Sequence, residues 1–140
     1  MPGVVPKFES GPVTYEVAEP VVGGQLIEGR SAGLVGVAVA NSTRVLGVAT
    51  TDGRPFNETD TYGTTTYGAT VMDMSVPDQY VAVGVGYYPV TYATDAALGD
   101  RLTAAANGQV AVGGTGPTVG FCAEPNGATT GSVALARILV

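Results

Sequence analysis

The stretch ATDAALGDRLTAAANGQVAVGG, residues 93–114, decides how the chain is read. It sets an Asp-Arg pair beside a glycine and, a few residues later, an Asn-Gly pair. Such a segment is either the polar loop of an active site or a corner and turn in a β structure. RLTAAANGQVAV places Asn107-Gly108 between two apolar-alternating runs, the strongest short-range signal for a hairpin. Both turn positions favour φ > 0, which Asn and Gly adopt at low cost. Gly99 lets the chain turn sharply into the first run, and the Asp100 carboxylate can accept backbone N–H groups across that corner. Turn chemistry accounts for every residue type here, so the segment reads as a corner followed by a hairpin.

Working outward, the same β pattern recurs. VTYEVAE alternates Val13, Tyr15 and Val17 against Thr14, Glu16 and Ala18, the period of a half-buried strand. GQLIEG follows a Gly23-Gly24 break. LVGVAVA and RVLGVAT are short apolar runs separated by Asn41-Ser42-Thr43, which predicts a hairpin between them. YVAVGVGYYPVTY is one long strand or two short ones, with Pro89 marking an edge or a bend. RLTA, QVAV, TVGFCAE and SVALARILV complete the series. Only TDAAL, residues 94–98, offers a turn of helix, with Thr94 or Asp95 as its cap. Many short strands at close spacing predict an all-β domain, a compact barrel or sandwich.

Two segments stand apart. Residues 1–12, with Pro2, Pro6 and Pro12, read as an extended arm preceding a single β domain over residues 13–140. Residues 54–78 form a polar, Thr- and Tyr-rich insertion, longer than a tight connection needs. Within it YGTTTYGATVM alternates well enough to make a small hairpin of its own. The arm offers Val4, Val5 and Phe8 beside Lys7; the insertion offers Tyr62, Tyr67, Met72 and Met74, aromatic and Met types enriched at interfaces. These eight residues are the expected contacts with a partner or a second subunit, and Gly99, Asp100, Asn107 and Gly108 the expected structural turns.

Bulk composition narrows the function. The 140 residues are 45% hydrophobic and only 13% charged, against about 25% charged in ordinary soluble domains. The net charge is −6, and the six basic residues are scattered singly. Nucleic acid needs clustered Lys and Arg, and anionic membranes need the same, so neither is an expected partner. No apolar run approaches the roughly 18 residues of a membrane span. MPGVVPKFESGP lacks the features of a signal peptide, and Cys122 stands alone, so folding in a cytoplasm is expected.

Catalytic chemistry finds little to work with. The chain has no histidine, which removes Ser-His-Asp and Cys-His activation and most zinc sites. Cys122, in TVGFCAE, reads as a small buried apolar residue with no nearby base. Acid pairs such as Glu58 with Asp60, or Asp95 with Asp100, read as solvated loop residues. A calcium site around Asp52, Glu58 and Asp60 lacks the alternating ligands of an EF-hand loop. GVGYYPV and VGGTGP do not lead from a strand into a helix, so neither reads as a nucleotide loop. No enzyme, cofactor or metal is expected.

The order of motifs carries one further signal. GQLIEG is followed by AGLVGVAVA and RVLGVATTDG, then YVAVGVGYYPVTYATDAALGDRLTAAANGQV, TVGFCAEP and GSVALARILV. This order resembles the capsid cement, or head decoration, proteins of tailed bacteriophages, over roughly residues 21–140. The resemblance implies a compact β domain that binds the major capsid protein on the outside of the assembled head. It further implies a symmetric homo-oligomer, a trimer in preference to a dimer, made in the host bacterial cytoplasm and carried in the virion. Two other readings compete with it: another virion module such as a tail-tube or fibre base, and a trimeric β-barrel nucleotide hydrolase, which six dispersed basic residues disfavour.

Overall fold

The computed structural model describes residues 12–55, 62–64, 70–72 and 79–139, the two short middle segments as backbone alone. Among the described residues, twelve strands follow in chain order. They are β1 (Val13–Glu16), β2 (Leu26–Gly29), β3 (Val35–Val37), β4 (Val45–Ala49), β5 (Tyr62–Thr64) and β6 (Thr70–Met72). Then come β7 (Tyr80–Gly84), β8 (Gly86–Thr91), β9 (Arg101–Ala105), β10 (Gln109–Val112), β11 (Thr118–Cys122) and β12 (Val133–Ile138). Val, Thr, Tyr and Ile fill about half of the strand positions, the branched and aromatic types that fit a pleated, half-buried surface.

The strands form two five-stranded antiparallel sheets packed as a sandwich. The first has the order β1-β7-β4-β2-β3 and the second β10-β9-β11-β12-β8. The second sheet curls until Tyr92, just past β8, meets Val110 of β10 in a single bridge, but it does not close into a barrel. Val85 alone separates β7 from β8, so the YVAVGVGYYPVTY run is two strands in different sheets. Pro89 lies on β8, at the edge of its sheet. Its partner across the ladder is Leu135, whose N–H is taken by Glu124 on the side away from β8. The proline therefore stands at a non-hydrogen-bonded pair, with its missing N–H on the free edge.

Apolar residues collect in two clusters. Leu26 and Val48 of the first sheet pack with Val90, Leu102, Val119, Ala136 and Ile138 of the second, forming the core between the sheets. The alternate residues Ile27 and Ala49 join Val17, Val21, Val35, Val81 and Val83 on the other face of the first sheet. β2 and β4 therefore bury residues on both faces, Leu26 and Ile27 of β2 and Val48 and Ala49 of β4. Each fully buried Leu or Ile contributes about 1.5–3 kcal/mol.

The structure corrects two expectations. β3 and β4 do not form a hairpin, because β2 lies between them and pairs with both. The Asn41-Ser42-Thr43 turn is tied elsewhere. Asn41, at φ 57°, donates its N–H to Ala104 O at 2.9 Å and accepts from Gly116 N at 3.0 Å through Oδ1. Ser42 Oγ donates to the buried Glu28 carboxylate at 2.8 Å. The loop therefore links the sheets and does not return on its own strand. Residues 94–98 make no helical turn either. Ala96 exchanges both backbone hydrogen bonds with Ala128, while Thr94 and Asp95 accept N–H groups from Val112 and Thr130. Side chains that could cap a helix here hold loops instead.

Candidate interaction surface

Of the contact residues expected from sequence, Val4, Val5, Lys7, Phe8, Tyr67 and Met74 lie outside the described residues. Tyr62 and Met72 are backbone partners in the register of β5 and β6, a two-stranded sheet whose pairing is separate from that of the two main sheets. Glu58 and Asp60 also lie outside the described residues; Asp52 accepts the Gly23 N–H at 2.7 Å. Among the described residues, no group of three or more His, Cys, Asp or Glu converges.

The four expected turn residues are ordered by specific bonds. Gly99 has φ 89°, and its N–H donates to Cys122 O at 2.8 Å. Asp100 accepts the Ala97 N–H at 2.8 Å through Oδ2, the corner bond anticipated from its position. Asn107 and Gly108 both have positive φ, 60° and 69°. The hairpin loop spans three residues, Ala106–Gly108, because Ala105 and Gln109 are the last directly paired residues. This turn is not a free tip. Gly108 is buried against β2, and Gln25 donates its side-chain N–H to Asn107 O at 3.2 Å.

That docking closes one side of a groove of about 780 Å³ between the sheets. Val48–Thr50 of the first sheet face Tyr88–Thr91 of the second across it, with Val22–Gln25 and Val133 alongside. Among the described residues no charged side chain lines it. Of its two glutamines, Gln25 and Gln109, Gln25 is spent on Val22 N and Asn107 O. The groove offers shape and little chemistry.

The outer face of the second sheet is different. Directly opposed residues in an antiparallel ladder share a face. Arg101 pairs with Phe121, Phe121 with Arg137, and Arg137 with Tyr87, so the four form one row across β9, β11, β12 and β8. All four are exposed, Tyr87 at 63% and Phe121 at 37%. The inner neighbours Leu102, Cys122 and Ala136 are buried, as strand alternation requires. The Arg137 guanidinium lies 6.0 Å from the Tyr87 ring centroid, at the outer limit of a cation–π contact. Arg101 is steadied by bonds to Thr118 Oγ1 and to Gly116 O. Sequence reading did not find this row, since its members come from four strands that are not consecutive. Only the placing of arginines in otherwise apolar strands hinted at it.

Neither a protein-family profile nor a curated protein sequence matches the chain. Solved structures do match in fold. One is described as the head fiber gp8.5 N base in bacteriophage phi29, with a TM-score of 0.57 at 16% identity over 91% of this chain and 92% of that one. Another is the C-terminal fragment of the bacteriophage phi29 gene product 12, with a TM-score of 0.54 at 16% identity over 93% and 99%. The shared fold runs nearly end to end in both.

Proposed function

We propose that this chain is a structural protein of a phage virion, attached to the outside of the head, where it decorates and stabilises the shell. The observation that carries this reading is the end-to-end fold correspondence with a head-fiber base, added to the motif order already noted. Packaged DNA loads the seams between capsid subunits, and a bound protein that bridges a seam must be released before the shell ruptures. Binding only to the assembled state stabilises that state by mass action. A surface poor in charge and rich in Val, Thr, Ala and Tyr is covered at small desolvation cost. In this reading the chain carries out no catalysis and holds no cofactor, which suits a sequence without histidine and a buried Cys122.

The same fold correspondence favours a second reading, in which the chain is the base of a head fibre and anchors an appendage. The two are separated by adding purified protein to heads that lack it. A decoration protein raises the temperature at which heads rupture and binds in many copies per head. A fibre base leaves that temperature unchanged and binds in few copies. Recovery of the protein with purified tails, and not with heads, overturns both.

A further inference from the structure

We propose that the row Arg101, Phe121, Arg137 and Tyr87 is the face by which one copy of this chain docks onto the acidic surface of a second copy. The inference starts from a segregation of charge. None of the chain's Asp or Glu residues falls within the five strands of the second sheet, which carry Arg101 and Arg137. Those strands hold +2 in a chain of net −6, so the remainder carries −8. Among the described residues the only ion pairs join Arg30 to Glu19 and Glu28, so no described acid pairs with either arginine of the row. Glu124, the nearest acid in sequence to β11, is held by the Leu135 N–H.

The residue types suit an interface centre. Arg, Tyr and Phe are enriched at the core of protein interfaces, and arginine and tyrosine dominate binding hot spots. Four strands at about 4.8 Å spacing give the row a span of roughly 14 Å. Val133 lies on the same face of β12, 67% exposed, and Leu139, two residues past Arg137, is 50% exposed. A stable interface needs about 800 Å² per partner, with an apolar centre and a polar rim, and this face can supply that centre. The complement is present in the same sequence. Glu16 on β1 is exposed, its side chain has no cation or hydrogen-bond partner among the described residues, and β1 is an edge strand of the other sheet. The second sheet of one copy set against acidic surface of the next is a head-to-tail contact, which closes into a ring when its rotation permits. This inference concerns the isolated chain and does not rest on the virion reading.

The test is sedimentation of the full chain at concentrations up to about 0.1 mM, where contacts of micromolar affinity are populated. The wild type is expected to self-associate, more weakly as salt rises from roughly 0.05 to 0.5 M. Arg137→Glu and, separately, Tyr87→Ser are expected to weaken association at least about tenfold. Their β circular-dichroism spectra should not change, because both side chains are solvent-exposed. A monomeric wild type overturns the proposal, as does unchanged association of both variants. Loss of head binding or of single-stranded DNA binding by Arg137→Glu, with self-association intact, reassigns the face to another partner and overturns it too.

Discussion

The N–H of Gly108 donates to the carbonyl of Ala38 at 3.0 Å, joining the β9–β10 turn to the chain just beyond β3 in the opposite sheet. The turn is therefore a fastening between sheets as well as a reversal of direction. A Cβ added at Gly108 would sit 2.8 Å from Gln25 Cβ and 3.0 Å from Leu26 N, and φ is already +69°.

Gly108→Val is expected to destabilise by about 3 kcal/mol or more, since it adds both the left-handed strain of a branched residue and a backbone clash. Asn107→Val carries only the conformational cost, about 1–2 kcal/mol. Urea unfolding midpoints check the order. Equal small losses would show that the turn is not pressed against β2.

Glu28 is a buried carboxylate in an apolar neighbourhood, and it is held by three donors. Ser42 Oγ lies at 2.8 Å, Val39 N at 3.2 Å and an Arg30 nitrogen at 3.1 Å. Removing it leaves the Val39 N–H and the Ser42 hydroxyl without their acceptor, while Arg30 keeps Glu19 Oε1 at 2.9 Å and Val37 O at 2.8 Å. Glu28→Ala is expected to cost about 2–3 kcal/mol, and Ser42→Ala about 1 kcal/mol. A loss below that of Ser42→Ala, measured by the same unfolding curves, would mean the carboxylate is dispensable.

These two sites show where sequence reading succeeds and where it stops. Alternation located the strands, and the chemistry of Asn107-Gly108 located the hairpin, because both signals are local. A hairpin between β3 and β4 is a false expectation because Asn-Ser-Thr announces a turn without announcing which strand the chain rejoins. Glu28 and Ser42 are 14 residues apart, and their meeting depends on β2 lying between β3 and β4. The Arg-Phe-Arg-Tyr row depends on the strand order of a whole sheet. Residues that meet only through topology leave little trace in sequence.

Cys122 tests the core between the sheets. Its side chain is only 2% exposed, on the inner face of β11. Exposure to a thiol reagent should wait on opening of the sandwich, so labelling in native buffer is expected to be slower than in denaturant by orders of magnitude. Labelling at the rate of a free thiol would show that β11 and β12 separate readily, contrary to tight packing of this core.

Tyr92 gives the fold an alkaline limit. The ring is fully buried, and its hydroxyl donates to Leu135 O at 2.8 Å. Burial, helped by Cys122 and Glu124, holds the phenol well above its ordinary value. An unfolded tyrosine ionises near pH 10, whereas in the fold the neutral form is retained. The resulting stability is complete below about pH 10 and is lost as pH rises from there toward the folded value. Tyr92→Phe is expected to cost about 1 kcal/mol at pH 7, from the lost hydrogen bond. Because phenylalanine cannot ionise, that deficit should shrink between about pH 10 and pH 11, where the wild type alone loses this contribution. Melting temperatures of the two proteins across that range decide the matter, and a constant gap would mean that the phenol is not held neutral by the fold.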